Sequence, residues 1–548
     1  MGPGGARERL PAGELTPGIA PSAPPVPGLR RQMPEAPTPP KPRAAGTRLR
    51  DAAAIATIIL AAIVFRATSF VPAVVDTDEG LYMVQAREWL HGGWPLVAAW
   101  DMHPIGAPAM FALAFLAFGV SVEAARLLGL VCVIATGCAL FAAVRAAGAP
   151  RAIGLGAGVL YAAQSVLLGG LSTNTELLIA PFVAGAIAIG IGGAARAMGT
   201  APSAPGLGAV AGMGLLIGTA LVVKQVVVPE GCLAFALLVL PALMRRVLPI
   251  RRAAAMAALY AGLCAAPFML AGFAYWTQGW LDEYLDGSLL APFRYALERI
   301  PPDEAKRRII AAGLLLGLAF ASAAISLIAW RAREAARPVP LLTAFVALWF
   351  AVASAAISGP GFYFAHYFLL WLPPLSILSA IGLWRLALVF AQPGTTRAVF
   401  AGLVGIVAAE AWLVELHGRF ERGPGWVLPD PVREVSAAVA AAAGPGGDAF
   451  VANYHTSVYV ISGARIATRF PFPPHLTGVF EDLSDTNTLA ELDRVLAARP
   501  RAIVVDRGWM HTMRPEAAAR VLAAIANGYD LFTTVNEYRG PVEIWRAR

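Results

Sequence analysis

The chain alternates long apolar runs with short polar breaks. Ala253–Trp276, Ile309–Trp330, Val339–Ile357 and Leu177–Ala195 contain no Asp, Glu, Lys or Arg, and each reaches the ~20 residues that cross a bilayer as a helix. The pattern predicts spans near 52–72, 121–144, 152–171, 177–195, 206–223, 226–244, 253–276, 309–330, 339–357, 366–388 and 398–416, about eleven in all. Ile105–Val120 is apolar but short, follows Pro104 and contains Gly106 and Pro108. It reads as an interfacial or re-entrant helix, because a crossing there would invert every later loop.

Two regions break the pattern. Residues 1–47 are rich in Pro, Gly and Ala with no apolar period, which predicts a disordered Pro-rich cytoplasmic tail. From about Gly423, β-rich stretches such as DAFVANY, RAIVVDR and PVEIWR alternate with helical ones such as TLAELDRVLAAR. That alternation predicts a small α/β domain. The expected organisation is therefore a tail (1–47), a transmembrane domain (48–422) and a C-terminal extracytoplasmic α/β domain (423–548).

Composition agrees with this picture: 57% of the 548 residues are hydrophobic and 14% charged, against about 25% charged in soluble proteins. A polytopic α-helical membrane protein follows. Cys132, Cys138, Cys232 and Cys264 all fall in apolar runs, where a disulfide framework or a Cys metal site has no place. The net charge of +8 comes from basic residues beside the spans. Arg43, Arg48 and Arg50 precede the first run and predict a cytoplasmic N-terminus. Arg145, Arg151, Arg196, Arg245, Arg246, Arg251, Arg252, Arg331, Arg333, Arg337 and Arg397 then all fall in inner loops. The tight outer turns hold Lys224 alone, while the outer loop 277–308 ends in Lys306, Arg307 and Arg308, against the rule.

With that topology the polar residues gather on one side. Asp76, Asp78 and Glu79 follow the first run within four residues, a density of charge that hydrocarbon cannot hold. His103, Glu176, Lys224 and the pair His366–Tyr367 occupy other outer segments. Carboxylates can take a proton from a hydroxyl, and a lysine with histidines can hold a phosphate. Plainer readings stay open: Lys224 as a snorkelling anchor, Glu176 as a charge at a helix N-terminus, His366–Tyr367 as interfacial anchors, and His103 as a shaper of the turn before Pro104. Glu230 and Glu410 lie inside spans without an evident role.

The blocks DTDEGLYMVQAREWLHGGWPL, DMHPIGAPAMFALAFLAFG, STNTELL, the Lys224 segment and HYFLLWLPPLSIL resemble, in order and spacing, the GT-C superfamily of membrane glycosyltransferases. The likeness is to its protein O-mannosyltransferase and aminoarabinose (lipid A) transferase type, and it covers roughly residues 50–390. It implies a sugar donor on a polyprenyl phosphate, a hydroxyl-bearing acceptor and a site outside the cytoplasm, in a multi-pass protein of the inner (plasma) membrane. Asp78 would be the catalytic base and Glu79 its neighbour, orienting the acceptor or tuning the charge. Glu176 would be the second acidic position and Lys224 the lysine near the donor phosphate. The family often has Lys-Pro where this chain has His103–Pro104, and Asp76 is an extra carboxylate. Inverting transfer of this kind requires no cofactor or metal, although Asp76 and Asp78 could share a proton or bind a divalent cation.

A lipid or solute transporter or flippase is the alternative that many spans and the intramembrane Glu230 and Glu410 suit. Transporters place coupling groups near the midplane, often in repeats, whereas these carboxylates lie at the surface. A non-catalytic subunit binding glycan through its α/β domain is a third.

Overall fold

In the computed structural model, residues 44–328, 338–392, 394–422 and 430–548 are described. The expected disorder of 1–47 falls almost wholly outside them, as do Arg331, Arg333 and Arg337 and the start of the expected C-terminal domain. Residues 50–548 form one unit and those up to Leu49 another.

Among the described residues, eight helices are long and apolar enough to cross a membrane: Gly46–Phe70, Val122–Ala146, Thr175–Met198, Gln225–Met244, Ile250–Thr277, Val339–Ser358, Ala365–Phe390 and Thr396–Gly418. The chain is thus a multi-pass membrane protein, and these eight match eight of the eleven expected spans. The other three take different forms. Leu207–Val223 is a helix of 17 residues. The run at 309–330 is divided into Pro302–Leu315 and Gly317–Leu327, bent by 82°.

The run at 152–171 is helical only over Arg151–Gln164. It then turns through Leu168 and Gly169, both at positive φ (60° and 75°). The carbonyls freed by that turn do not meet lipid. Arg66 donates to the Leu171 carbonyl at 3.1 Å and also to that of Gly170, and Arg126 donates to the Leu171 carbonyl at 2.8 Å. Both arginines are fully buried, and their planar, multi-donor guanidinium groups suit a buried bend that needs several hydrogen bonds at once.

Ile105–Val120 forms the short helix Gly106–Phe118. Its first residue packs so tightly on the end of Leu207–Val223 that a Cβ on Gly106 would lie 2.5 Å from the Val222 carbonyl oxygen. Glu230 has a partner inside its span: the Trp349 indole Nε1 donates to it at 2.6 Å, which satisfies part of an otherwise costly group. The four cysteines are free.

The C-terminal region carries a five-stranded sheet: β1 (Asp448–Val451), β2 (Arg465–Ile466), β3 (Ala502–Asp506), β4 (Tyr529–Glu537) and β5 (Gly540–Ala547), in the order β2-β1-β3-β5-β4. β1 runs parallel to β2 and β3, while β5 is antiparallel to β3 and β4. All five residues of β3 are buried, as expected for a central strand covered on both faces. The α/β character expected from the sequence is present.

This region docks on the end of the helical bundle that carries the acidic loop. Arg87 donates to the carbonyls of Tyr459 and of Ala464, the latter at 3.0 Å. The Trp100 amide donates to the Arg469 carbonyl at 2.6 Å. A Cβ on Gly80 would meet the Ser457 amide nitrogen at 2.7 Å, so the contact leaves no room for a side chain.

Candidate active site

Asp76 and Asp78 owe their position to a helix start. The helix Asp78–Leu90 opens with two acids, where the helix dipole favours negative charge. The Asp78 amide donates to Asp76 Oδ1 at 3.1 Å, so the two carboxylates stay side by side. Gly169 lets the neighbouring turn close on them: a Cβ there would stand 3.3 Å from Asp76 Oδ2. His366 lies between the pair, its Nδ1 3.1 Å from Asp76 Oδ2 and its Nε2 3.6 Å from Asp78 Oδ2.

The environment separates the two acids. Burial raises Asp78, and the neighbouring Asp76 charge raises it further, to about 6. It does so although 29% of the side chain is open to the cavity. Burial also opposes ionisation of Asp76, but contact with His366 more than offsets it and holds Asp76 below its ordinary value. The two adjacent carboxylates are thus pushed in opposite directions, Asp76 below and Asp78 above the ordinary value.

Both line a cavity of about 670 Å³, together with His103, Lys224, His366 and Tyr367. Lys224 is buried, 2.6 Å from Glu176 Oε1 and 3.1 Å from Thr175 Oγ1. Its ammonium also sits 4.7 Å from the centre of the Tyr367 ring, a cation–π distance. The Tyr367 hydroxyl lies 3.1 Å from that of Tyr295. Six of the eight expected site residues therefore share one cavity. Glu176 stands behind Lys224 and is not among the lining residues.

Glu79 turns away from the cavity. It is buried against Arg126 at 2.8 Å and accepts the Thr173 amide at 2.7 Å. Consecutive helical positions point about 100° apart, so when Asp78 faces the cavity Glu79 faces the core. In this arrangement it ties the acidic loop to the loop before Thr175–Met198 and is not among the residues that line the cavity.

The structure adds residues that were not singled out from the sequence. Asp101 holds His103 Nδ1 at 2.9 Å; burial opposes its ionisation, but His103 prevails and lowers Asp101 from its ordinary value. This residue stands two positions before His103 and carried a signal. Tyr82 lines the wall one turn beyond Asp78. From the C-terminal region come Asn453, Tyr454, His475, Trp509 and His511, for which no sequence signal was available. His475 is driven down to about 4 by burial, so it stays neutral near pH 7.

Asp76, Asp78 and His366 each offer one ligand atom, all within 4.8 Å of one another. Two carboxylates and an imidazole are donors that divalent ions accept. The expected cation position at Asp76 and Asp78 thus has a fitting donor set, to which His366 is an addition.

No protein-family model and no curated relative matches the chain. Solved structures do. ArnT from Cupriavidus metallidurans, bound to undecaprenyl phosphate, superposes with a TM-score of 0.57 at 15% identity, covering 91% of this chain and 98% of that one. The archaeal oligosaccharyltransferase AglB from Archaeoglobus fulgidus, in complex with an inhibitory peptide and a dolichol-phosphate, gives 0.52 at 11% identity, covering 89% of this chain and 73% of that one. At these identities the likeness is one of fold. The chain shares the fold of these two proteins, in line with the resemblance of the sequence blocks.

Proposed function

We propose that this chain is a glycosyltransferase that moves a monosaccharide from a polyprenyl-phosphate donor to a hydroxyl acceptor outside the cytoplasm, with inversion. The observation that carries the reading is Asp78, a carboxylate raised to about 6 in the same cavity as the buried cation Lys224. A general base works best when it titrates near the operating pH. Two structures of the same fold, bound to undecaprenyl phosphate and to dolichol-phosphate, support a lipid-phosphate donor.

In this scheme Asp78 takes the acceptor proton as the hydroxyl oxygen attacks the anomeric carbon. The bond to the phosphate oxygen breaks and polyprenyl phosphate departs as an anion. Lys224 stabilises that anion, with His103 beside it. Asp76 keeps Asp78 basic by repulsion, and His366 orients both carboxylates. Glu176 and Tyr367 position the Lys224 ammonium, and Glu79 acts only by fixing the loop. The scheme needs no metal; an ion held by Asp76, Asp78 and His366 would polarise the acceptor hydroxyl.

The helical part, 48–422, would form the reaction chamber, and 423–548 would close it from outside. Their meeting over the cavity favours the transferase over a transporter, whose site would lie near the midplane. The test is incubation of purified protein in lipid with a panel of polyprenyl-linked monosaccharides and a crude envelope extract. Release of polyprenyl phosphate from one donor supports the reading. Solute or lipid transport without release from any donor overturns it.

A further inference from the structure

Lys306, Arg307 and Arg308 break the charge rule of the loops, and the structure places them at the same end of the bundle as Asp78. The fold uses only some of this charge. Arg308 donates to Glu304 at 2.8 Å and to the Phe362 carbonyl at 2.9 Å, with its guanidinium 5.4 Å from the centre of the Phe364 ring. Arg307 pairs with Glu304. Lys306 and Arg299 have no acidic partner among the described residues. Both line a groove of about 480 Å³ with Ile300, Ile309, Ile310 and Tyr363. Two cations and a set of aliphatic side chains share one depression.

The spacing adds direction. Lys306, Ile310 and Leu314 follow at four-residue intervals along Pro302–Leu315, so they lie on one face. Ile310 is 50% and Leu314 75% exposed. Charge at one end of a helical stripe and bare aliphatic surface below it complement a lipid: phosphate above, acyl chain beneath. Cations kept against the topological charge rule need a stabilising partner, and anionic headgroups supply one.

We infer that this groove binds an anionic phospholipid, its phosphate between Arg299 and Lys306 and an acyl chain over Ile310 and Leu314. The occupant is distinct from the reactant, because the reaction cavity has its own cation in Lys224. Phe362 stands between the two hollows: it stacks on Tyr295 of the cavity at 4.3 Å, and its carbonyl is held by Arg308. The backbone beside the groove is strained, with Gly361 at φ +79° and Tyr363 at φ +52°, the second unusual for an aromatic residue. A Cβ on Gly361 would collide with the Arg299 side chain, 2.8 Å from its Cγ. A lipid clamped by Arg299 therefore braces the segment that continues to His366 and Tyr367. The proposal does not depend on the reaction assigned to the cavity.

The experiment is photo-crosslinking of the full-length protein in bilayers of phosphatidylcholine and phosphatidylglycerol, with either lipid carrying a photoreactive headgroup and the labelled peptides mapped by mass spectrometry. We expect phosphatidylglycerol to label peptides within 299–310 preferentially over phosphatidylcholine. The Arg299→Gln/Lys306→Gln variant should reduce that labelling roughly tenfold or more, two interfacial cations being removed, while Arg307→Gln should leave it unchanged. Equal labelling by both lipids, or no labelling of this segment in the wild-type protein, would overturn the inference. So would full labelling of the double variant. Displacement by inorganic phosphate alone, or by polyprenyl phosphate at matched concentration, would also overturn it by assigning the groove to a free anion or to the donor.

Discussion

Lys224 meets Glu176 at 2.6 Å, the lysine lining the cavity and the glutamate standing behind it. The pair places a positive charge on the cavity wall, and the carboxylate behind it compensates the cost of burying that charge.

Removing one member should therefore differ from removing both. Lys224→Met leaves Glu176 buried without its counter-ion and should cost about 3–5 kcal/mol of stability. Lys224→Met/Glu176→Gln should recover most of that loss in thermal denaturation in lipid. Donor turnover should remain absent in both. Activity regained by the double variant would exclude the phosphate role of Lys224.

The raised pKa of Asp78 sets a pH dependence. The proposed base is active when ionised, so turnover should fall as pH drops through about 6, where burial and Asp76 have moved Asp78. Asp76→Asn removes the like charge that raises Asp78, so the acid limb of kcat/KM should move to lower pH. A limb unmoved by this substitution would separate Asp78 from the proton transfer.

Glu79 and Asp78 are neighbours with different expected effects. Glu79→Gln removes a charge that Arg126 meets at 2.8 Å in a fully buried setting, and should destabilise the protein by about 3–5 kcal/mol. Asp78→Asn should leave the melting temperature nearly unchanged. Thermal denaturation of the two variants side by side checks this.

Gly80 sits where the C-terminal region touches the bundle. Gly80→Val would drive a side chain into the Ser457 backbone and should loosen the region over the cavity. Faster limited proteolysis after residue 430, with the membrane helices intact, is the expected result.

The positions of most spans were legible because a bilayer forces long uncharged runs, and the eight qualifying helices fall where those runs lie. The acidic cluster was legible for the same reason: such charge must leave hydrocarbon. The break after Gln164 was not, since it depends on Arg66 and Arg126 reaching across the bundle to free carbonyls. Helical phase separated Glu79 from Asp78, a distinction that adjacency in sequence conceals. Tyr295, Tyr454 and His475 reach the cavity from loops and short elements far apart in the chain, with no shared spacing to announce them. Asp101 could have been found, standing two residues before His103.

Asp78 is the proposed base for sugar transfer from a lipid phosphate. The most direct test of that role is the single-turnover rate of polyprenyl phosphate release, wild type against Asp78→Asn, at saturating donor and acceptor, with and without chelator. A loss of about 10²–10⁴-fold is expected, the usual contribution of general base catalysis, in a protein that still binds donor and melts normally, with no effect of chelator on the wild type. A variant that releases polyprenyl phosphate at the wild-type rate would contradict it.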